Sequence, residues 1–202
     1  MLVMSNSGPV HRSGWRGSRG FRAAWLLCFL ATLAAPAFAD TRLEVTAASV
    51  TIDDGVYELD ARLDVRIPEP GRRAIEAGLT LVLDYQIEIA RLRRYLPDPE
   101  VASLQQRYEL SYHALSQRYL VRNLNTGEQQ DYGSLQASLD RIAEVHGLPL
   151  LDSSLLAPGE SYEFRVRAEL RLQTAPDTLG WLLFWTDDWS ATSGWYAWTL
   201  RR

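Results

Sequence analysis

The sequence predicts a mainly β protein, either an antiparallel β-sandwich or a curled sheet, that carries one long amphipathic helix. Apolar and charged residues alternate with a period of two along several stretches of about ten residues, and turn signals separate these stretches. Antiparallel sheets with one buried and one wet face show this alternation. One segment has helical spacing instead, which makes the class β-rich α+β.

The first two strands are expected to form a hairpin. Residues 43–52 and 57–67 flank Asp54-Gly55, a pair that tolerates the positive φ of a tight turn. The apolar phase slips between Val45 and Val50, which predicts a β-bulge in the first strand.

Five further strands follow from the same alternation, and the cleanest pattern is that of the stretch beginning at Tyr162. In chain order they are residues 79–89, 107–113, 117–124, 162–172 and 195–200. The charges on their polar faces alternate in sign, which predicts cross-strand ion pairs on a solvated sheet face.

The helix is predicted over residues 135–145, where apolar residues recur every three or four positions. Ser134 is expected to cap its first turn, and Gly147 to end it. A shorter helix is expected at residues 72–77, after a loop at 68–71.

The first 39 residues have the features of a cleavable secretory signal peptide. Four arginines precede an apolar run at residues 23–35, which is shorter than the roughly 20 residues of a membrane span. Ala37-Phe38-Ala39 fits signal peptidase, so we expect cleavage between Ala39 and Asp40 and a periplasmic domain over residues 40–202. The alternative is a retained signal that anchors the protein in the inner membrane.

The expected mature domain is acidic. Removing residues 1–39 takes four arginines and no acidic residue away, which changes the formal net charge from −4 to −8. Nucleic-acid binding works by neutralising phosphates with basic side chains. Because the domain is acidic, we do not expect it to bind nucleic acid. The single cysteine, Cys28, is removed with the signal.

The mature sequence carries no recognisable catalytic or metal-binding motif. His113 and His146 are isolated from other ligand-type residues, and no nucleophile elbow, phosphate loop or dinucleotide fingerprint occurs. We therefore expect a protein that is not an enzyme and that uses no metal and no cofactor.

All five tryptophans after the signal lie within 18 residues of one another near the end of the chain. Most are expected to close the core, but alternation places Trp195 on the opposite face from Trp198. The binding candidates are Trp189, Trp195 and Trp198, which would serve sugar stacking, a membrane interface or a protein partner. Arg93 and Arg94 are a second candidate, as a small anchor for an anionic headgroup or acidic patch.

Asp187 and Asp188 lie among these tryptophans and suggest an alternative function. Two carboxyl groups can divide acid and base roles when their environments separate their pKa values. Adjacent residues of an extended segment point to opposite faces, however, so a shared site needs a turn. The alternative is thus a glycan-binding or glycan-hydrolysing domain.

Two stretches resemble an exported proteobacterial family, the domain-of-unknown-function family 4390. The stretch from Tyr108 to Gly127 looks like that family's signature, and Asp188-Trp189 with Gly194-Trp195-Tyr196-Ala197-Trp198 is similar to its closing motif. Tyr95 departs from an expected tryptophan-rich patch. The resemblance implies an envelope location and genes beside a sensor kinase, and it implies no catalytic residues.

The sequence therefore favours an exported, non-enzymatic binding or regulatory module that contacts another envelope protein, such as a membrane sensor.

Overall fold

The computed structural model describes residues 41–93, 99–173 and 190–202, and these belong to one compact unit that spans residues 39–202. The signal peptide predicted over residues 1–39 lies outside the described residues. Within the described ranges the chain forms ten strands and two α-helices.

The element bounds, in chain order, are β1 (Arg42–Asp53), β2 (Val56–Arg66), α1 (Glu69–Glu76), β3 (Thr80–Arg91), β4 (Glu100–His113), β5 (Arg118–Asn123), β6 (Gln129–Tyr132), α2 (Leu135–Ala143), β7 (Glu144–Asp152), β8 (Ser161–Gln173), β9 (Ser190–Thr192) and β10 (Tyr196–Arg201).

The strands form two antiparallel sheets. The smaller sheet has the order β1-β2-β7, and the larger has the order β10-β8-β3-β4-β5-β6, with β9 pairing on the same edge of β8 as β10. Strand β1 packs against β8, while α2 contacts β2, β5 and β6. The predicted mainly β fold, a sandwich or curled sheet, is confirmed.

Alternation explains where the core lies. Along β8 the residues from Tyr162 to Leu170 that share one face are buried, and the charged residues between them are only half-buried. The same holds for β3, where Leu83, Tyr85 and Ile87 are each at most 1% exposed. These inward rows meet residues of β2 and α2 in one large apolar cluster.

The β1–β2 hairpin confirms two expectations. Asp54 and Gly55 have φ values of 44° and 81°, so the turn adopts the positive-φ conformation that an Asp-Gly pair permits. The register shifts between Val45 and Ala47, which is the predicted bulge. At the bulge, the Thr46 hydroxyl donates a hydrogen bond of 3.1 Å to the Arg62 carbonyl.

The long-helix prediction is right over residues 135–143 and wrong over residues 144 and 145. Ser134 caps α2 as predicted, accepting a bond of 3.2 Å from the Ala137 N–H, but the helix ends at Ala143. The chain then continues as β7, in which Val145 lies opposite Ala61 of β2. The β-branched Val145 fits either period, and pairing with β2 decides for the strand.

Other boundaries also differ from the predictions. Helix α1 begins at Glu69, inside the stretch expected to be a loop, because Pro70 suits a first helical turn. Strand β4 begins seven residues earlier than predicted, at Glu100. Strands β6 and β9 are short and polar, and no alternation identified them.

A buried carboxylate occupies the outer face of the large sheet. Asp84 of β3 has a side chain that is only 7% exposed, although it points away from the core. It pairs with the Arg171 guanidinium, and its Oδ1 lies 3.4 Å from Nε of Arg107. The predicted ladder of alternating charge is therefore present, but at this point it is buried.

The Tyr85 hydroxyl ties the large sheet to α2. It donates a bond of 2.7 Å to the Ile142 carbonyl in the last turn of the helix. Burial raises the pKa of Tyr85 well above its ordinary value, so the hydroxyl stays protonated and remains a donor.

We expect Tyr85→Phe to lower the free energy of unfolding by about 1–3 kcal/mol, because a buried carbonyl loses its donor. Tyr132→Phe is the matched control, since its hydroxyl bonds to Gln130 at an exposed position, and it should change stability by no more than about 0.5 kcal/mol. Urea unfolding measures both. Equal losses in the two variants would contradict the structural role of Tyr85.

We expect Arg171→Met to destabilise the protein by about 1–3 kcal/mol, because it leaves the Asp84 carboxylate buried with a weaker partner. Adding Asp84→Val should restore most of the loss, since the buried charge is then removed together with its counterion. Denaturant unfolding of both variants and of the single Asp84→Val variant completes the cycle. If Arg171→Met alone is neutral, the pair does not hold this face together.

Candidate functional site

Trp198 is half-buried and packs against the core. It lies opposite Phe164 in the β10–β8 pairing and points inward. Its ring stacks on that of Phe164 with centroids 5.7 Å apart and an angle of 22° between the planes. The ring packs against both buried clusters, so its chief role is to close the sandwich.

Trp195 has the opposite orientation, as alternation predicted. The residue is 38% exposed, and its ring covers two guanidinium groups on the outer face of β8. The central carbon of Arg167 lies 4.5 Å from the ring centroid, and that of Arg165 lies 5.0 Å from it. We call Trp195, Arg165 and Arg167 the tryptophan platform.

A bulge between β9 and β10 places the platform. Thr192 pairs with Glu169 and Tyr196 with Val166, so three residues face two on β8. Ser193 anchors the bulge, because its N–H donates to the Ala168 carbonyl at 2.9 Å and its hydroxyl accepts from the Ala168 N–H at 2.8 Å. The extra residue turns the Trp195 ring over the arginines.

The two arginines are themselves held in place. Nε of Arg165 donates to the Glu88 carboxylate at 2.8 Å, and Nε of Arg167 donates to the Gln86 side-chain oxygen at 2.7 Å. Each cation–π contact at an exposed position contributes about 0.5–1 kcal/mol. The indole ring is thus fixed on the surface before any partner arrives.

A groove runs beside the platform at the edge of the sandwich. It has a volume of about 510 Å³ and lies between Thr41–Val45 at the start of β1 and Gly194–Tyr196 of the bulge. An exposed aromatic side chain therefore lies next to a concave surface, which is the arrangement that anchors protein and carbohydrate ligands.

The other predicted binding residues divide between described and undescribed parts of the chain. Arg93 is exposed, two residues beyond the end of β3. Arg94 and Trp189 lie outside the described residues, as do Asp187 and Asp188 of the alternative site.

Sequence reasoning missed the cations of the platform. Arg165 and Arg167 were assigned to the general charge ladder, yet they are the two residues under the Trp195 ring. An Arg-x-Arg pair on the wet face of β8 was the only available signal. Nothing in the sequence showed that β10 would pair with this strand.

The two histidines of the domain have structural neighbours. His113 stands at the β4–β5 turn, where its Nδ1 lies 2.8 Å from the Ser116 hydroxyl. His146 is exposed on β7 rather than at a helix end, because the helix stops earlier; its ring lies 3.4 Å from Asp60 and 3.5 Å from Glu144.

The described residues contain neither a cluster of metal-ligand side chains nor a helix long and apolar enough to cross a membrane. In residues 41–93, 99–173 and 190–202, no group of three or more histidine, cysteine or acidic side chains is placed to hold a metal ion. Neither helix in these ranges has the length and apolar character needed to span a bilayer.

Comparison with known proteins identifies the family. No curated protein and no solved structure matches the chain. A family model described as a domain of unknown function, DUF4390, matches residues 40–199, which confirms the resemblance seen in the sequence. The chain therefore belongs to the domain-of-unknown-function family 4390.

Proposed function

We propose that this protein is an exported, non-enzymatic binding module that contacts another envelope protein through the tryptophan platform and the adjoining groove. The observation that carries the proposal is Trp195, a residue that is 38% exposed and whose ring contacts two guanidinium groups beside a concave edge.

The chemistry of the platform favours a protein partner. Tryptophan and arginine are the residue types most enriched among those that dominate binding energy at protein interfaces. Because the ring is already fixed, binding costs little side-chain entropy, and preorganisation of this kind raises affinity. A membrane sensor of the envelope is the partner that we propose.

The features of an export signal in the sequence support the same proposal. The sequence begins with a basic segment, a short apolar run and an Ala-x-Ala cleavage pattern, and the family match starts at residue 40, next to the proposed cleavage point. We therefore propose the periplasm as the location, with a retained inner-membrane anchor as the alternative.

Glycan binding is the second candidate, and one observation favours it. An exposed indole beside a groove is suited to stacking on a sugar ring. Trp198 no longer contributes to this candidate, because its ring packs on Phe164 in the core. Of the two tryptophans in the described residues, Trp195 is the more exposed.

We expect Trp195→Ala to abolish specific crosslinking to an envelope partner while changing the free energy of unfolding by only about 1–2 kcal/mol, the size of two exposed cation–π contacts. Leu115→Ala is the matched control, because Leu115 is 93% exposed on a turn outside the platform. Crosslinking in intact envelopes, followed by identification of the captured protein, measures the effect.

The partner proposal requires capture of the same protein by the unmodified chain and by Leu115→Ala, and its loss in Trp195→Ala. Capture that is equal in all three would refute it. If Trp195→Ala instead abolishes retention on immobilised envelope polysaccharide and no protein is captured, the glycan candidate replaces it.

We expect the mature protein recovered from a periplasmic fraction to begin at Asp40. N-terminal sequencing tests this directly. A chain that still begins at Met1 and sediments with inner membranes would instead establish the anchored alternative.

A further inference from the structure

A second concave surface is formed by strands other than those that carry the tryptophan platform. It is a cleft of about 330 Å³ between β7 and the inner face of β4 and β5, next to the end of α2. Arg141, Tyr108, Gln106 and Asn123 line one side, and residues 145–149 of β7 line the other. We call it the β7 cleft.

The β7 cleft exists because the smaller sheet is too narrow to cover the larger one. β7 is the last strand of the smaller sheet, and α2 covers β5 and β6 beside it. Where α2 ends, the chain turns back into β7, and a cleft remains at that corner beside the inner face of β4 and β5.

Arg141 supplies an available positive charge in this cleft. It lies over the Tyr108 ring, with 6.0 Å between its central carbon and the ring centroid. Its Nη1 donates a long hydrogen bond of 3.5 Å to the Glu144 carbonyl, and the guanidinium makes no ion pair with any residue in the described ranges. The acidic wall residue Glu144 is already engaged, since its Oε1 lies 2.9 Å from Nη2 of Arg62. The cleft can therefore accept a negative charge.

The groups around Arg141 are hydrogen-bond donors held in fixed positions. The buried Gln106 donates to the Asn123 side-chain oxygen at 2.8 Å, and that oxygen also accepts from the Asn125 and Thr126 N–H groups. The Asn123 amide hydrogens have no partner within the described residues, so they remain free to donate to a ligand.

The Tyr108 hydroxyl belongs to the same group. Burial raises its pKa, and hydrogen bonds from Arg141 and Gln106 act in the opposite direction. The hydroxyl stays neutral at physiological pH, so it adds no negative charge that would oppose an anion.

The shape of β7 argues for a compact ligand instead of an added strand. Its register shifts twice along β2, Gly147 has a φ of 57°, and Pro149 has no N–H to donate. A strand with bulges and a proline offers a poor ladder for an extended peptide. The volume of the cleft is at the lower end of the range for small-molecule sites, roughly 300–1,000 Å³.

We propose that the β7 cleft binds a small, hydroxyl-rich carboxylate of about monosaccharide size, with its carboxylate on Arg141 and its hydroxyls on the Asn123 amide and the Tyr108 hydroxyl. Guanidinium–carboxylate pairing is among the strongest polar contacts available to such a ligand. This site shares no residue with the tryptophan platform.

The test is an NMR titration of the mature chain with D-glucuronate, lactate and D-glucose. Glucuronate should give saturable shifts at cleft residues, lactate should bind more weakly, and neutral glucose should not bind. Arg141→Gln should weaken glucuronate binding at least about tenfold. Arg141→Lys should weaken it less, because lysine keeps the positive charge but cannot make the two parallel hydrogen bonds of a guanidinium.

Arg122→Gln is the matched control, because Arg122 is exposed on neighbouring β5 and faces away from the cleft; its affinity for glucuronate should be unchanged. Trp195→Ala should also bind normally, which separates this site from the proposed partner surface. Absence of saturable shifts with both acids, or equal glucuronate affinity in Arg141→Gln, would overturn the proposal. Lactate binding alone would overturn the assigned ligand size.

Discussion

Burial of the inner row of β3 is the constraint on which the rest of the fold depends. Strand β3 is flanked by β8 and β4, and its inward residues from Leu81 to Ile89 are at most 2% exposed. The expected mature domain has no cysteine, so no disulfide assists, and each apolar side chain buried here contributes about 1.5–3 kcal/mol. The smaller sheet and α2 have to cover this row together, because neither is wide enough alone.

That division of cover explains where the molecule offers surfaces for binding. At one side, β1 crosses the edge formed by β9 and β10, and the tryptophan platform and its groove lie there. At the other, the junction between α2 and β7 leaves the β7 cleft. Both surfaces lie where the smaller sheet or α2 stops covering the larger sheet. Both carry an aromatic ring in contact with arginine. The core thus sets the position of the surfaces, and the side chains set their chemistry.

The sequence allowed the main strands and the fold class to be predicted, because period-two alternation reports directly on which face is buried. It also placed Trp195 and Trp198 on opposite faces. Prediction from the sequence failed where a contact distant in sequence determines the structure. Val145 fits the helical spacing, but its pairing with β2 places it in a strand. Arg165 and Arg167 contact the Trp195 ring only because the β9–β10 bulge lies beside β8. Strands such as Gln129–Tyr132 have no apolar face and thus no pattern to detect.

The bulge at Ser193 also affects how the edge of the larger sheet can pair with another molecule. A long, regular margin of unpaired amides and carbonyls is a template on which further copies of a chain can stack into fibrils. The two short segments on that flank of β8 are offset by the extra residue, so a neighbouring molecule cannot continue the hydrogen-bond ladder across them. The same bulge that displays an indole ring therefore interrupts the regular edge of the larger sheet.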